Sequence, residues 1–414
     1  MTLSEELNWR GFVNQSTFND LKKLDDEKWI FYHGYDASSD SLTVGNLAAV
    51  MMDKVFLRYG HKGILLAGGA TSLIGDPGGK DSERVLQDEE TVAKNVRKVK
   101  EQIETLVGGE VHMVNNLDWF KKMTILEFLR DVGKHYSMTP LVQRDYIATR
   151  MGEGGSGISF TEFSYTLLQG YDFLHLYQKY GVELQLAGSD QWGNSLSGVD
   201  LVRRVEGKEV HAMTMPLIIN KTTGKKFGKS EEGAVWLDPS KTSPNDFYQF
   251  WINVDDAGVG DYLKIFTELD KDKIGKVMSE FEKNKAERLA QKTLAYEVTK
   301  LIHGKEAAEK AQEHAKDLKE GLSFSGELAA QVIKPLELTQ NEAIETPLTD
   351  LLVRAGLVES KSEAKRLLES GGIYVNDQQT SQTSLKNSDF QKNLAKLRRG
   401  KNLNNQKIIK LIEK

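Results

Sequence analysis

Residues 31–47 read FYHGYDASSDSLTVGNL, and this stretch decides the fold. Trp29 to Tyr35 is a short aromatic and apolar run that predicts a buried strand. A polar turn, Asp36 to Asp40, follows it. The spacing then predicts a helix whose first turn carries Ser41, Thr43, Gly45 and Asn46, ahead of the apolar pattern from Leu47 to Tyr59. A strand that feeds a helix with small side chains at its amino end exposes free N–H groups and the positive end of the helix dipole. Phosphates or a flat base can approach such a place. An ordinary strand–turn–helix reads the same way, so the surrounding sequence has to discriminate.

Gly63 to Ala70 is a second apolar run, so strand, helix and strand follow in order. That order implies a parallel sheet with a right-handed crossover. The next loop, residues 71–84, is glycine-rich and ends in charge, but Ile74 and Asp81 stand where a Walker motif needs Gly and Ser or Thr. It leaves a parallel strand at the carboxyl end, where such sheets bind ligands, which makes Asp76 a candidate site residue. Residues 89–107 and 120–135 read as helices, with a strand-like 111–116 between them.

Ser159-Phe-Thr-Glu162 is a capping-box pattern opening a helix that runs to about Tyr180. Tyr165, Gln169 and Asp172 share one face of it among apolar neighbours. Plain surface and a small polar pocket both fit that spacing. Leu184 to Ala187 is strand-like and ends in Gly188-Ser-Asp190-Gln-Trp-Gly-Asn194, a turn suited to ribose hydroxyls. Lys221 to Ser230 ends in Gly-Lys-Ser, yet Thr223 replaces the glycine of a Walker motif. Two lysines three apart in a glycine loop, Lys226 and Lys229, suit a clamp on a polyphosphate or a basic surface turn.

The composition bounds the rest. At 414 residues the chain has room for two or three domains, and 39% hydrophobic with 28% charged residues is globular. Zero cysteines exclude disulfides and thiolate metal sites, and the eight histidines lack paired spacing. No run approaches a membrane span, and the opening MTLSEELNWRG lacks a signal-peptide pattern, so the expected location is the cytoplasm. A net charge of −5 argues against coating nucleic acid non-specifically. From Lys392 onward the sign reverses, with Lys396, Arg398, Arg399, Lys401, Lys407 and Lys410 opposed by Glu413. A local polyanion-binding face and a solvated basic terminus both fit. Beyond Pro244 the sequence becomes helical and charge-laced to about Glu320. A module with two helices and a turn-plus-strand starts at Pro347.

Taken together, these segments resemble the bacterial-type tyrosyl-tRNA synthetases of class I, over nearly the whole chain. Thr43-Val-Gly-Asn46 sits where class I synthetases carry HIGH, and Lys226-Phe-Gly-Lys-Ser230 where they carry KMSKS. GDPGGK, SFTEFSY–LLQGYDF and GSDQWGN lie between them in order. The terminal module resembles an RNA-binding fold shared with a small-subunit ribosomal protein. The resemblance implies an α/β fold: a Rossmann-like parallel-sheet catalytic domain over 1–243, an α-helical domain over 244–325, a linker over 326–346 and a small α+β RNA-binding module over 347–414.

It also implies roles. Tyr32 and Asp172 would meet the phenol of tyrosine. Asp76, Tyr165 and Gln169 would hold its ammonium, with Gln191 near the carboxylate and Gln185 in the same pocket. Asp36, Gly45, Asn46, Gly188 and Asp190 would hold ATP. Lys80, Arg84, Lys226, Lys229 and Ser230 would embrace the departing pyrophosphate, assisted by Thr43 and Asn46. Thr43 replaces the first histidine of the signature, so activation is expected to persist with weaker help there. ATP enters with Mg2+ as substrate, no tightly bound cofactor or protein-held metal is expected, and the partners are L-tyrosine, tRNA(Tyr) and a second copy of the chain, with no membrane. The rival readings are a tryptophanyl-tRNA synthetase, against which the pairing of Tyr32 with Asp172 argues, a retired homologue that only binds RNA, and a nucleotidyltransferase for another small molecule.

Overall fold

Ile30–Asp36 forms the expected strand, because its side chains bury against the sheet's two covered faces up to Tyr35 before the chain turns polar. The computed structural model describes residues 1–76, 86–108, 111–143, 145–224, 227–230, 233–320, 335–376, 378–390, 393–400 and 406–412. At 140, 145, 146, 229, 230 and 317–320 it describes backbone alone. The chain separates into two units, Met1–Ala311 and Gln312–Lys414.

In the first unit, β1 (Gln15–Ser16), β2 (Ile30–Asp36), β3 (Lys62–Gly68), β4 (His112–Asn115), β5 (Leu184–Gly188) and β6 (His211–Met215) form one sheet in the order β1-β6-β5-β2-β3-β4. Every pairing is parallel except the edge strand β1 on β6. The helices that matter for the site are α1 (Leu3–Arg10), α2 (Val44–Arg58), α3 (Gly69–Ile74), α4 (Glu89–Val107), α5 (Phe160–Tyr180) and α6 (Trp192–Glu206). Ser159 caps α5 by accepting from the N–H of Glu162. The reciprocal half of the expected capping box is not made. Glu162 is buried and its carboxylate takes both guanidinium nitrogens of Arg150 at 2.8 Å, because a charge-assisted fork outcompetes a single N–H.

The single helix expected over 120–135 is broken. Leu117–Phe120 is a short turn, Thr124 then starts a new capped turn with Glu127, and Phe128–Val132 is a π turn. Thr124 and Glu127 satisfy each other's backbone, which restarts rather than continues the helix.

From α7 (Pro244–Ile252) and α8 (Val259–Phe266) onward the unit is helical, with α9 (Leu289–His303) packed against both. Arg10 of α1 donates to the carbonyls of Thr267 and Leu269 at 2.9 and 3.0 Å, tying the amino end to the segment after α8. Among the described residues no helix is long and apolar enough to cross a membrane.

The second unit has a five-stranded sheet in the order β9-β8-β10-β11-β7: β7 (Leu336–Leu338), β8 (Ile373–Val375), β9 (Gln378–Gln379), β10 (Leu394–Arg399) and β11 (Gln406–Leu411). Helices α10 (Leu348–Arg354) and α11 (Lys361–Glu369) bury Leu348, Leu351, Leu352 and Ala364 in a core shared with Ile373 and Leu397. β7 pairs in parallel with β11, so the stretch expected to be a connecting segment supplies a strand.

Candidate active site

The connections β2 to β3 to β4 run to one side of the sheet, and β5 to β6 to the other. Strand order therefore reverses between β2 and β5, and the crevice at their carboxyl ends is where such a sheet takes a ligand. Tyr32 and Gln185 face each other across that pair. Both are buried, and the Tyr32 hydroxyl and Gln185 Oε1 have no hydrogen-bond partner among the described residues. Each unmade buried hydrogen bond costs about 1–3 kcal/mol, so two side by side indicate a polar group that arrives with a ligand. Burial, reinforced by the nearby Asp172 carboxyl, raises the Tyr32 phenol well above its ordinary range and keeps it protonated.

Asp172 is buried on α5 and receives Trp119 Nε1 at 3.0 Å and Asn116 Nδ2 at 3.1 Å. Burial pushes its carboxyl up to about 8, with those two hydrogen bonds pulling the other way. Asn116 follows β4 and also holds α3, donating to Thr71 Oγ1 and accepting from the Ala70 N–H at 2.7 Å. Beyond α3, Asp76 accepts from Gln191 Nε2 at 2.6 Å. Gln191 in turn accepts from Asn194 Nδ2, and Asn194 from the Thr166 hydroxyl at 2.7 Å. Thr166 lies on α5 with Asp172, so the chain of contacts leaves that helix and returns to it. Tyr165, buried, directly precedes Thr166, and Gln169, half-buried, lies between the two anchor points. The face that the spacing left open is thus a polar wall. Asn116, Trp119 and Thr166 carried no signal in the sequence, because their role exists only once their partners are adjacent.

The nucleotide-side candidates sit at neighbouring strand ends. Asp36 closes β2, is exposed, and accepts from the Ser72 hydroxyl at 2.7 Å. Thr43 is the N-cap of α2, so the helix begins at Val44, later than the sequence suggested. Gly45 is exposed and Asn46 half-exposed at its first turn. Gly188 ends β5, and a Cβ there would meet Asp190 Oδ1 at 2.8 Å, so a side chain at this position would displace that carboxylate.

The second signature lies against the first. Gly228 has φ +87°, and a Cβ on it would sit 3.0 Å from the Gly45 nitrogen. Val44 N donates to Val235 O and Leu237 N to Leu42 O, both at 2.9 Å. Phe227 is buried among Phe250, Trp251, Tyr262 and Phe266, at ring separations of 4.4 to 5.6 Å. Lys80, Arg84 and Lys226 lie outside the described residues, and Lys229 and Ser230 are described as backbone in a two-residue strand.

The chain is similar to known proteins over most of its length. A family model described as tRNA synthetases class I (W and Y) matches residues 24–319. Another, described as Tyrosine--tRNA ligase SYY-like C-terminal domain, matches 328–405. The chain is 45% identical over 391 residues to a tyrosine–tRNA ligase of Geobacillus kaustophilus (strain HTA426), with 91% of each covered. It is 43% identical over 418 residues to one from Lactococcus lactis subsp. cremoris (strain SK11), covering 98% of this chain and 99% of the other. A C-terminally truncated mitochondrial tyrosyl-tRNA synthetase of Aspergillus nidulans superposes with a TM-score of 0.69 at 30% identity, covering 77% of this chain and 94% of that one.

Proposed function

Since the chain belongs to the tyrosine–tRNA ligases, class I aminoacyl-tRNA synthetases, we propose how its own residues divide that reaction. Tyrosine's carboxylate attacks the α-phosphorus of ATP, giving tyrosyl-adenylate and pyrophosphate. The tyrosyl group then passes to the 3'-terminal ribose of tRNA(Tyr). Neither step needs a protein nucleophile, so the work is positioning and the stabilisation of charge growing on the leaving phosphates.

Tyr32 and Asp172 receive the phenol, with Gln185 beside them. Asp76, Tyr165, Gln169 and Gln191 receive the ammonium and carboxylate. Asp36, Gly45, Asn46, Gly188 and Asp190 seat the nucleotide. Lys80, Arg84, Lys226, Lys229 and Ser230 meet the pyrophosphate, whose Mg2+ travels with ATP as part of the substrate. Phenylalanine is rejected because it leaves the buried Tyr32 hydroxyl unpaired and offers Asp172 no phenol beside its Trp119 and Asn116 donors.

Residues 1–243 carry activation, the helices beyond Pro244 face the anticodon side, and the terminal module holds RNA. The enzyme works in the cytoplasm as a homodimer. Large apolar side chains at 125–160 support the dimer: Ile125, Leu126 and Phe160 are 74%, 75% and 75% exposed, against the usual burial of such residues.

The observation that carries the reading is the pair of unpartnered atoms on Tyr32 and Gln185, at a switch point walled by Asp172 and its donors. ATP–pyrophosphate exchange across the aromatic amino acids tests it. Exchange that depends on tyrosine is expected. Exchange with tryptophan instead, or RNA binding without any exchange, would overturn it.

A further inference from the structure

Two turns beyond Asn46, helix α2 carries a carboxylate that the reaction above does not use. Asp53 is fully buried. Its Oδ2 accepts from the Tyr35 hydroxyl at 2.5 Å, and its Oδ1 pairs with Nδ1 of His33 at 2.8 Å. Both partners stand on β2 on either side of Gly34, with ring centroids 5.0 Å apart, and Tyr35 directly precedes Asp36. Burying a carboxylate is costly, and an apolar side chain of similar size generally holds two elements together as well or better. α2 has such side chains already, since Val50, Met51, Val55 and Phe56 are all buried. Apolar burial is non-directional, whereas two hydrogen bonds into two residues of one strand fix both the height and the rotation of the helix beside that strand.

One element of the locked pair holds Thr43, Gly45 and Asn46, and the other holds Tyr32 and Asp36. We infer that Asp53, with Tyr35 and His33, forms a positioning network for adenylate formation. It sets the amino end of α2, and with it Asn46, at a fixed place relative to the carboxyl end of β2. The inference rests on the ligase reading and adds residues that touch neither substrate.

The test uses Asp53→Asn and Tyr35→Phe in the full chain. It measures tyrosine affinity, the single-turnover rate of adenylate formation and the ATP dependence of that rate, each with and without Asn46→Ala. Tyrosine affinity is expected to stay within about twofold, while Asp53→Asn slows activation and raises the ATP requirement by about tenfold, and Tyr35→Phe by less. In the Asn46→Ala background those losses shrink to about twofold, because the group being placed is gone.

Rates and ATP dependence that match the parent's overturn the network. So do losses that add fully to Asn46→Ala, or a fall in tyrosine affinity in step with the rate. If Asp53→Asn does not fold, Tyr35→Phe, which deletes one oxygen, carries the same comparison. Absence of tyrosine-dependent exchange in the unsubstituted chain overturns the ligase reading and the network with it. Exchange in the parent with unaltered variants overturns the network alone.

Discussion

The hydroxyl and the backbone N–H of Thr43 both donate to the carboxamide oxygen of Asn46, at 2.8 and 2.9 Å. A backbone N–H can only donate, so it fixes which end of the Asn46 amide faces it. The Asn46 NH2 therefore points away from Thr43, at a helix amino end where Gly45 leaves the backbone open. Threonine in place of the signature's first histidine thus directs its hydroxyl to Asn46 and orients that side chain.

Asn46→Ala is accordingly expected to slow adenylate formation by about a hundredfold with tyrosine affinity unchanged. Thr43→Val keeps the backbone donor and loses one hydrogen bond, so about fivefold is expected. Single-turnover activation with separate tyrosine titration checks both. Equal effects of the two substitutions would show that Thr43 acts directly.

Tyr32→Phe removes a buried hydroxyl that has no hydrogen-bond partner among the described residues. The free protein should become more stable by about 1 kcal/mol, while tyrosine binding weakens by about tenfold. Thermal melting and equilibrium binding measure the two. A lower Tm would mean that the hydroxyl is satisfied within the fold.

Burial raises the Asp172 carboxyl from 3.8 to about 8. The folded chain then keeps a proton that the unfolded chain has released, so this group's contribution to stability is intact below about pH 4 and is lost as pH rises toward 8, at up to about 1.4 kcal/mol per pH unit. Asp172→Asn removes the titration. Urea unfolding at pH 5 and pH 8 should show the parent losing stability relative to the variant over that interval. A parallel course for both would place the carboxyl near its ordinary value.

Phe160→Asp and Leu126→Asp put a charge on the exposed apolar stretch. Each should shift the chain toward monomer in sedimentation at micromolar concentration, leaving its helix content unchanged. A parent already monomeric would assign those side chains another role.

Much of this protein is local and is legible as sequence. Strand–turn–helix alternation from residue 29 to 76 and the Ser159 cap of α5 depend on residues a few positions apart. Periodicity, caps and glycine placement report those directly. What the sequence left open depended on partners brought together from afar. Asp76 meets Gln191 across a separation of 115 residues, and Asn116 meets Asp172 across 56. The basic terminus is partly spoken for in the same way: Arg399 pairs with Glu363 at 3.0 Å, Lys410 with Glu337 at 3.3 Å, and Arg398 lies over the Tyr374 ring. Whether a polar side chain is surface or site turns on desolvation and on which donor the fold delivers to it. Packing across the sheet decides both, and no pattern within one segment encodes them.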